Sequence, residues 1–156
     1  MAETLCLERG ARLTELRRRV LALIWESHAP VGAYAIMEML RREGRRAMPP
    51  TVYRALDFLQ DQGLVHRIAS LNAFIGCSHP ADAHAIQYVI CRRCGTVAEI
   101  ENSAIGGAVA ASARELGFDM TGQTVEIAGT CRDCLGTAKR VVGRGKGTGR
   151  AAPTAH

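Results

Sequence analysis

Four of the six cysteines fall into two CxxC pairs, Cys91–Cys94 and Cys131–Cys134, with 36 residues between them. Each pair offers two thiolates from one tight turn, and two pairs from distant parts of a chain complete a tetrahedral Cys₄ set of the kind that holds structural zinc. An ion bound there ties the C-terminal end of the chain to its middle. A disulfide framework is not expected. The opening MAETLCLERG is polar and mixed in charge rather than a secretory signal, and thiols in the cytosol stay reduced.

A quieter set of ligand-type side chains lies between the first pair and the N-terminal half. His66, Cys77, His84 and Glu99 together carry one sulfur, two nitrogens and one oxygen, a mixture that suits tetrahedral zinc. One thiolate instead of four makes for weaker, more exchangeable binding, which fits a sensor better than a clamp. Each residue also has an ordinary reading. His66 suits a wing residue facing phosphate, Cys77 a buried thiol and Glu99 a surface carboxylate, while His79 rivals His84 as a ligand. Cys6 reads as a small buried apolar residue.

Both sets need elements to position them. A short helix is expected over residues 3–9 and a second over Thr14–Ser27, with Thr14 as N-cap and Leu16, Val20, Leu23 and Ile24 at helical spacing. A third covers Ala33–Arg42, with Ile36, Met37 and Leu40 inward. Pro49-Pro50 opens a fourth, Thr51–Gln62, because a first-turn proline lacks only an N–H that would be unpaired anyway. Val52, Leu56 and Leu59 form its buried stripe and Gly63 its stop. Strands Leu64–Ala69 and Ala73–Cys77 follow. The expected fold class is therefore α+β: a winged helix-turn-helix domain over 1–77, a hinge over 78–84 and a small α/β domain over 85–135. The latter holds strands Ile86–Ile90, Thr96–Ile100 and Thr124–Ala128 and a helix over 102–116, which Gly106 and Gly107 weaken. Residues 136–156, Gly-rich and basic, read as a disordered tail.

Charge is uneven along the 156 residues. Residues 1–70 carry 11 Lys/Arg against 8 Asp/Glu, residues 71–135 carry 4 against 7, and residues 136–156 carry 5 against none. A basic N-terminal half suits a polyanion. In helix-turn-helix proteins the second motif helix enters the major groove, and residues near its N-terminus meet base edges. Here those are Thr51, Tyr53 and Arg54, of which Arg54 can grip guanine through O6 and N7. Arg12, Arg17 and Arg18 are placed to hold phosphates, which position without specifying. No apolar run of 18 residues is present, so no membrane span is expected.

Arg12-Leu13-Thr14, Pro50-Thr51-Val52-Tyr53-Arg54-Ala55-Leu56, Gly63-Leu64-Val65-His66 and the paired CxxC motifs resemble the ferric uptake regulator (Fur) family, and within it the zinc-responsive branch. The likeness spans about residues 2–135. It implies a cytoplasmic repressor and not an enzyme, built as a homodimer through its C-terminal domain. It also implies that the dimer, when zinc-loaded, binds double-stranded DNA at AT-rich inverted repeats near zinc import genes. Two zinc ions per subunit are implied, a structural one at Cys91, Cys94, Cys131 and Cys134 and a regulatory one at His66, Cys77, His84 and Glu99. Tyr53 and Arg54 match base-reading positions, and Glu38 and Arg41 match residues that join neighbouring dimers on DNA. The His-rich run that precedes the first CxxC in iron-type members is missing, and Cys77 is present, which favours zinc over iron. A same-fold sensor of iron, manganese, nickel or peroxide remains the alternative.

Other classes fit less well. A nucleobase deaminase needs an H-x-E motif and a proline before its CxxC, whereas Ala85-Ile86 follow His84 and Ile90 precedes Cys91. A thioredoxin-like enzyme places its CxxC at a helix N-terminus after a βαβ start, and both pairs here are expected beside strands. A zinc-stapled scaffold without a DNA role leaves the Tyr53-Arg54 helix unexplained.

Overall fold

The computed structural model describes residues 1–80 and 85–141, with side chains through 136. Helices α1 (Ala2–Glu8), α2 (Glu15–Glu26), α3 (Ala33–Arg42) and α4 (Pro49–Asp61) come first, followed by the hairpin β1 (Val65–Ile68) and β2 (Ala73–Gly76). A 3-10 turn, Ala69–Leu71, forms the hairpin tip. After residues 81–84 lie β3 (Ile86–Cys91), β4 (Val97–Glu99), α5 (Ser103–Glu115), β5 (Thr124–Gly129) and α6 (Arg132–Val141).

The helical stripes behave largely as their spacing dictates. Val20, Leu23 and Ile24 of α2, Ile36 and Leu40 of α3, and Val52, Leu56 and Leu59 of α4 are buried in one cluster. Leu21 joins them, while Leu16 and Met37 sit half-buried at its margin. Cys6 is buried there too, as a small apolar side chain. The fourth helix starts at Pro49 rather than Thr51, since both prolines fit the unpaired first turn. Thr14 has the extended backbone of an N-cap, but its side chain makes no capping bond.

The hairpin is antiparallel, with His66 opposite Ile75 and Ile68 opposite Ala73. An isolated bridge from Val31 to Phe74 fastens it to the helices. Side chains alternate across a strand, so His66 and Ile68 of β1 share a face with Ile75. The bond from Cys77 N to Leu64 O at 3.0 Å continues the ladder and puts Cys77 on that face as well. Ile68 and Ile75 pack there against Tyr88, Ile90, Ile86 and Val97, so the wing lies directly on the second sheet.

That sheet has the order β4-β3-β5. β3 pairs antiparallel with β4 and parallel with β5, and α5 makes the crossover that a parallel pair requires. Asn102 caps α5, its Oδ1 accepting from Ala104 N at 3.0 Å. Gly106, which weakened the expectation of a helix, sits where a Cβ would lie 2.9 Å from the Ala85 Cβ. It permits a close approach rather than breaking the helix. Ile105 is half-buried, whereas Val109 and Leu116 are exposed at 38% and 76% in the single chain.

The expectation of disorder from residue 136 is corrected at its start, because α6 runs to Val141. The glycine content of 136–156 is concentrated after 142, and only Gly136 interrupts the first six residues. Residues 142–156, the rest of the expected tail, and residues 81–84 of the expected hinge lie outside the described residues. Among the described residues, no helix is long and apolar enough to cross a membrane.

Candidate metal and nucleic-acid sites

The parallel register of β3 and β5 pairs Cys91 with Gly129, two residues before Cys131. Strand pairing thus brings the two CxxC motifs together. At the first, Gly95 N bonds Cys91 O at 2.9 Å and Gly95 adopts φ +74, a turn that glycine makes without strain. Arg92 N bonds Gly129 O at 2.9 Å, and Cys131 N donates to Cys91 Sγ at 3.3 Å. Arg93 Nη1 reaches Cys134 O, closing the second knuckle onto the first.

All four Sγ atoms lie within 4.8 Å of one another, and Cys94 Sγ is 3.7 Å from Cys131 Sγ. A tetrahedron with Zn–S bonds of about 2.3 Å has sulfur–sulfur edges of about 3.8 Å, so the thiol set fits zinc. The electrostatics point the same way. Backbone N–H groups, that of Cys131 first, lower the Cys91 thiol to about 6. Cys134 is pushed up to about 12, first by its bond with Cys131 and then by Cys94. Four thiols this close do not all ionise without a cation among them.

The second pair follows a strand, β5, as expected, and in addition stands at a helix N-terminus. Cys131 and Cys134 do open a helix, α6, because the chain turns into it directly after β5. A helix N-terminus is where redox CxxC pairs sit. Here, however, the pair is one half of a four-sulfur cluster and does not stand alone.

Of the four residues expected at the second site, His84 lies outside the described residues. The other three border the junction between wing and sheet. His66 and Cys77 are on the hairpin face that meets β3, and Cys77 is buried. Glu99 stands opposite Tyr88 in the β3–β4 register and accepts a bond from Ser78 Oγ at 3.3 Å. Burial pushes the Cys77 thiol up; the His79 backbone N–H opposes this and Glu99 reinforces it. Burial, with Glu99 and Cys77, likewise raises Tyr88. His79 Nδ1 lies 3.6 Å from Glu101 Oε1, and His79 lines the same cavity as Glu99.

On α4, Thr51, Tyr53, Arg54 and Asp57 are exposed on one face. Arg12 is exposed in the loop before α2. Arg17, read as a phosphate contact, is engaged inside the domain. Its guanidinium lies 3.5 Å from the centroid of the Phe58 ring, and its Nη1 donates to Arg12 O at 2.7 Å. Arg18 bonds Glu3 at 2.7 Å. Glu38 is paired within its own helix, with Arg41 at 2.8 Å and Arg42 at 3.2 Å, and these two hold its carboxyl down to about 2.

Phe58, the floor beneath Arg17, was not singled out from sequence. Its position between inward Leu56 and Leu59 gives no sign of the cation above it. Glu126 was also missed; its carboxylate reaches across to the hairpin tip. A lone carboxylate on a strand looks like any solvated one.

Residues 8–128 match the model of the Ferric uptake regulator family. The Zinc uptake regulation protein of Escherichia coli (strain K12) is 38% identical over 136 residues, covering 86% of this chain and 79% of that protein. The protein of the same name from Mycobacterium tuberculosis is 30% identical over 128 residues, or 80% of this chain and 95% of the relative. A solved structure described as a zinc uptake regulator complexed with zinc and DNA superimposes with a TM-score of 0.81 at 35% identity, covering 88% of this chain and 93% of the other. Holo XcZur gives 0.77 at 42% identity, covering 86% and 94%.

Proposed function

The chain belongs to the ferric uptake regulator family, and from that premise we propose that it is a zinc-responsive transcriptional repressor acting as a homodimer on operator DNA of zinc uptake genes. The similarity to zinc uptake regulators, including one solved with zinc and DNA, supports the choice of metal and partner. The observation that carries the reading is the wing face. It presents Cys77, Ile68 and Ile75 to the sheet that bears Glu99, so a metal site at this junction would fix the DNA-binding half against the other.

In this reading Cys91, Cys94, Cys131 and Cys134 hold a structural zinc, and His66, Cys77, His84 and Glu99 hold a regulatory one, giving two ions per subunit. When bound, zinc neutralises the thiolates and cross-links its ligands. Thr51, Tyr53 and Arg54 read base edges of an AT-rich inverted repeat, and Arg12 steadies the backbone beside them. Arg17 acts chiefly through Phe58. Glu38 and Arg41 would exchange their mutual pairing for contacts between dimers on DNA. Exposed Val109, Leu116, Phe118 and Ile127, with β5 at the sheet edge, are the surface a second copy would cover, since open edges and apolar patches favour pairing. The proposed setting is the cytoplasm, and no enzymatic step is assigned.

Moving a two-state protein from about 1:99 to 99:1 takes about 5.5 kcal/mol of differential ligand affinity, a demand that the junction ligands have to meet. Metal counting on the purified dimer tests the assignment. Two zinc ions per chain are expected, with one remaining in Cys77→Ser. An unchanged count in that variant contradicts the junction site.

A further inference from the structure

The β3 register sets Tyr88 opposite Glu99 on β4 and opposite Glu126 on β5. Directly opposed residues face the same side of a sheet, so Glu99, Tyr88 and Glu126 form one cross-strand row facing the wing. Tyr88 packs on Ile68 in the middle of that row, and Glu99 meets Ser78 at one end. At the other end the two Glu126 oxygens accept from Ala69 N at 2.7 Å and Ser70 N at 3.0 Å. These are the first two amides of the 3-10 turn at the hairpin tip, N–H groups with no partner inside the turn itself.

We propose that Glu126 is a positioning residue for operator binding: its carboxylate latches the wing tip to the C-terminal sheet and fixes the angle at which α4 is presented. This rests on the repressor reading above. Two charge-assisted bonds from one carboxylate to adjacent amides define direction as well as distance. The Ile68–Tyr88–Ile90 contact is apolar and lacks that directionality, so it permits the wing to roll while staying covered. Glu126 restrains the roll at the tip, as the Ser78–Glu99 bond does at the other end of the row. Because the same row carries Glu99, the latch lies on the element that the junction site would hold. Burial raises the Glu126 carboxyl, but the Ser70 and Ala69 bonds outweigh it and leave it lowered, so the latch stays charged near neutral pH.

The test uses the full-length zinc-loaded dimer, unmodified and as Glu126→Gln, which keeps the shape but only one acceptor oxygen. Binding to an operator duplex and to an unrelated duplex is measured with amide hydrogen exchange, zinc content and dimer mass. The expected result for the variant is operator binding weakened about ten-fold, with unchanged binding to the unrelated duplex, zinc content and mass. Protection at Ala69 and Ser70 should be lost while that of the α2 and α4 core persists. A variant that merely fails to fold would lose protection throughout; in that event exchange in the unmodified dimer decides, since the latch requires slow Ala69 and Ser70 amides there. Fast exchange at both, or equal operator binding by both proteins, overturns the proposal. If the unmodified dimer binds no operator with zinc present, the repressor reading fails instead, and the exchange data still decide whether the contact exists.

Discussion

The Arg17 guanidinium of α2 lies over the Phe58 ring of α4, 3.5 Å from its centroid. A residue whose charge suggested phosphate contact therefore joins the helix that supports the DNA-binding domain to the helix that would enter the groove. An exposed cation–π contact contributes about 0.5–1 kcal/mol, and the bond to Arg12 O adds to it. Arg17→Ala should lower the melting temperature by roughly 2–4 °C per kcal/mol lost. It should weaken operator and unrelated DNA by similar factors. Calorimetry and binding titrations check this, and an unchanged melt with reduced binding would return Arg17 to direct phosphate contact.

Arg54 should behave differently. It is exposed on the outward face of α4 beside Tyr53, and a bidentate grip on guanine gives roughly 1–3 kcal/mol of discrimination. Arg54→Ala should flatten the preference among operator variants while leaving most nonspecific affinity intact. Competition titrations against single-base operator changes measure it.

The two sets of thiols should also separate. Structural zinc can bring on the order of 10 kcal/mol to a small fold, so Cys94→Ser should lose the dimer and much of its stability. Cys77→Ser should remain a folded dimer with poor response to zinc. Circular dichroism and sedimentation on both variants test the division, and identical behaviour in the two would undo it.

In the metal-free chain, pH should act through the crowded thiols. The folded Cys91 pKa, about 6, lies below its ordinary 9.0. Its thiolate therefore stabilises the fold fully above 9, and this contribution is lost as pH falls towards 6. Cys134, raised to about 12, works in the opposite direction: its contribution is full below 9 and lost as pH rises towards 12. Urea midpoints of the zinc-free chain should rise from about pH 6 to 9 and fall beyond. Cys91→Ser should shrink the rising limb and leave the part that comes from Cys94, whose thiol is also lowered, first by its bond with Thr96.

Much of this architecture was legible in the sequence because it is local. The α4 stripe of Val52, Leu56 and Leu59 follows from periodicity, and the Cys₄ cluster from the spacing of two CxxC turns. What was not legible depends on contacts made after folding. The Glu126 bond to Ala69 joins residues 57 apart, from side chain to backbone, and nothing in a strand glutamate announces an amide partner. α6 was obscured by averaging composition over a glycine-rich stretch that begins only after its end.

The most direct measurement is fluorescence anisotropy of a labelled operator duplex titrated with the full-length dimer, once with zinc and once with a zinc chelator that spares the Cys₄ ion. The expected result is tight, sequence-selective binding with zinc and near-nonspecific binding without it. By linkage, the duplex should tighten zinc binding by the same factor. Equal operator affinity in the two titrations would contradict zinc control of DNA binding.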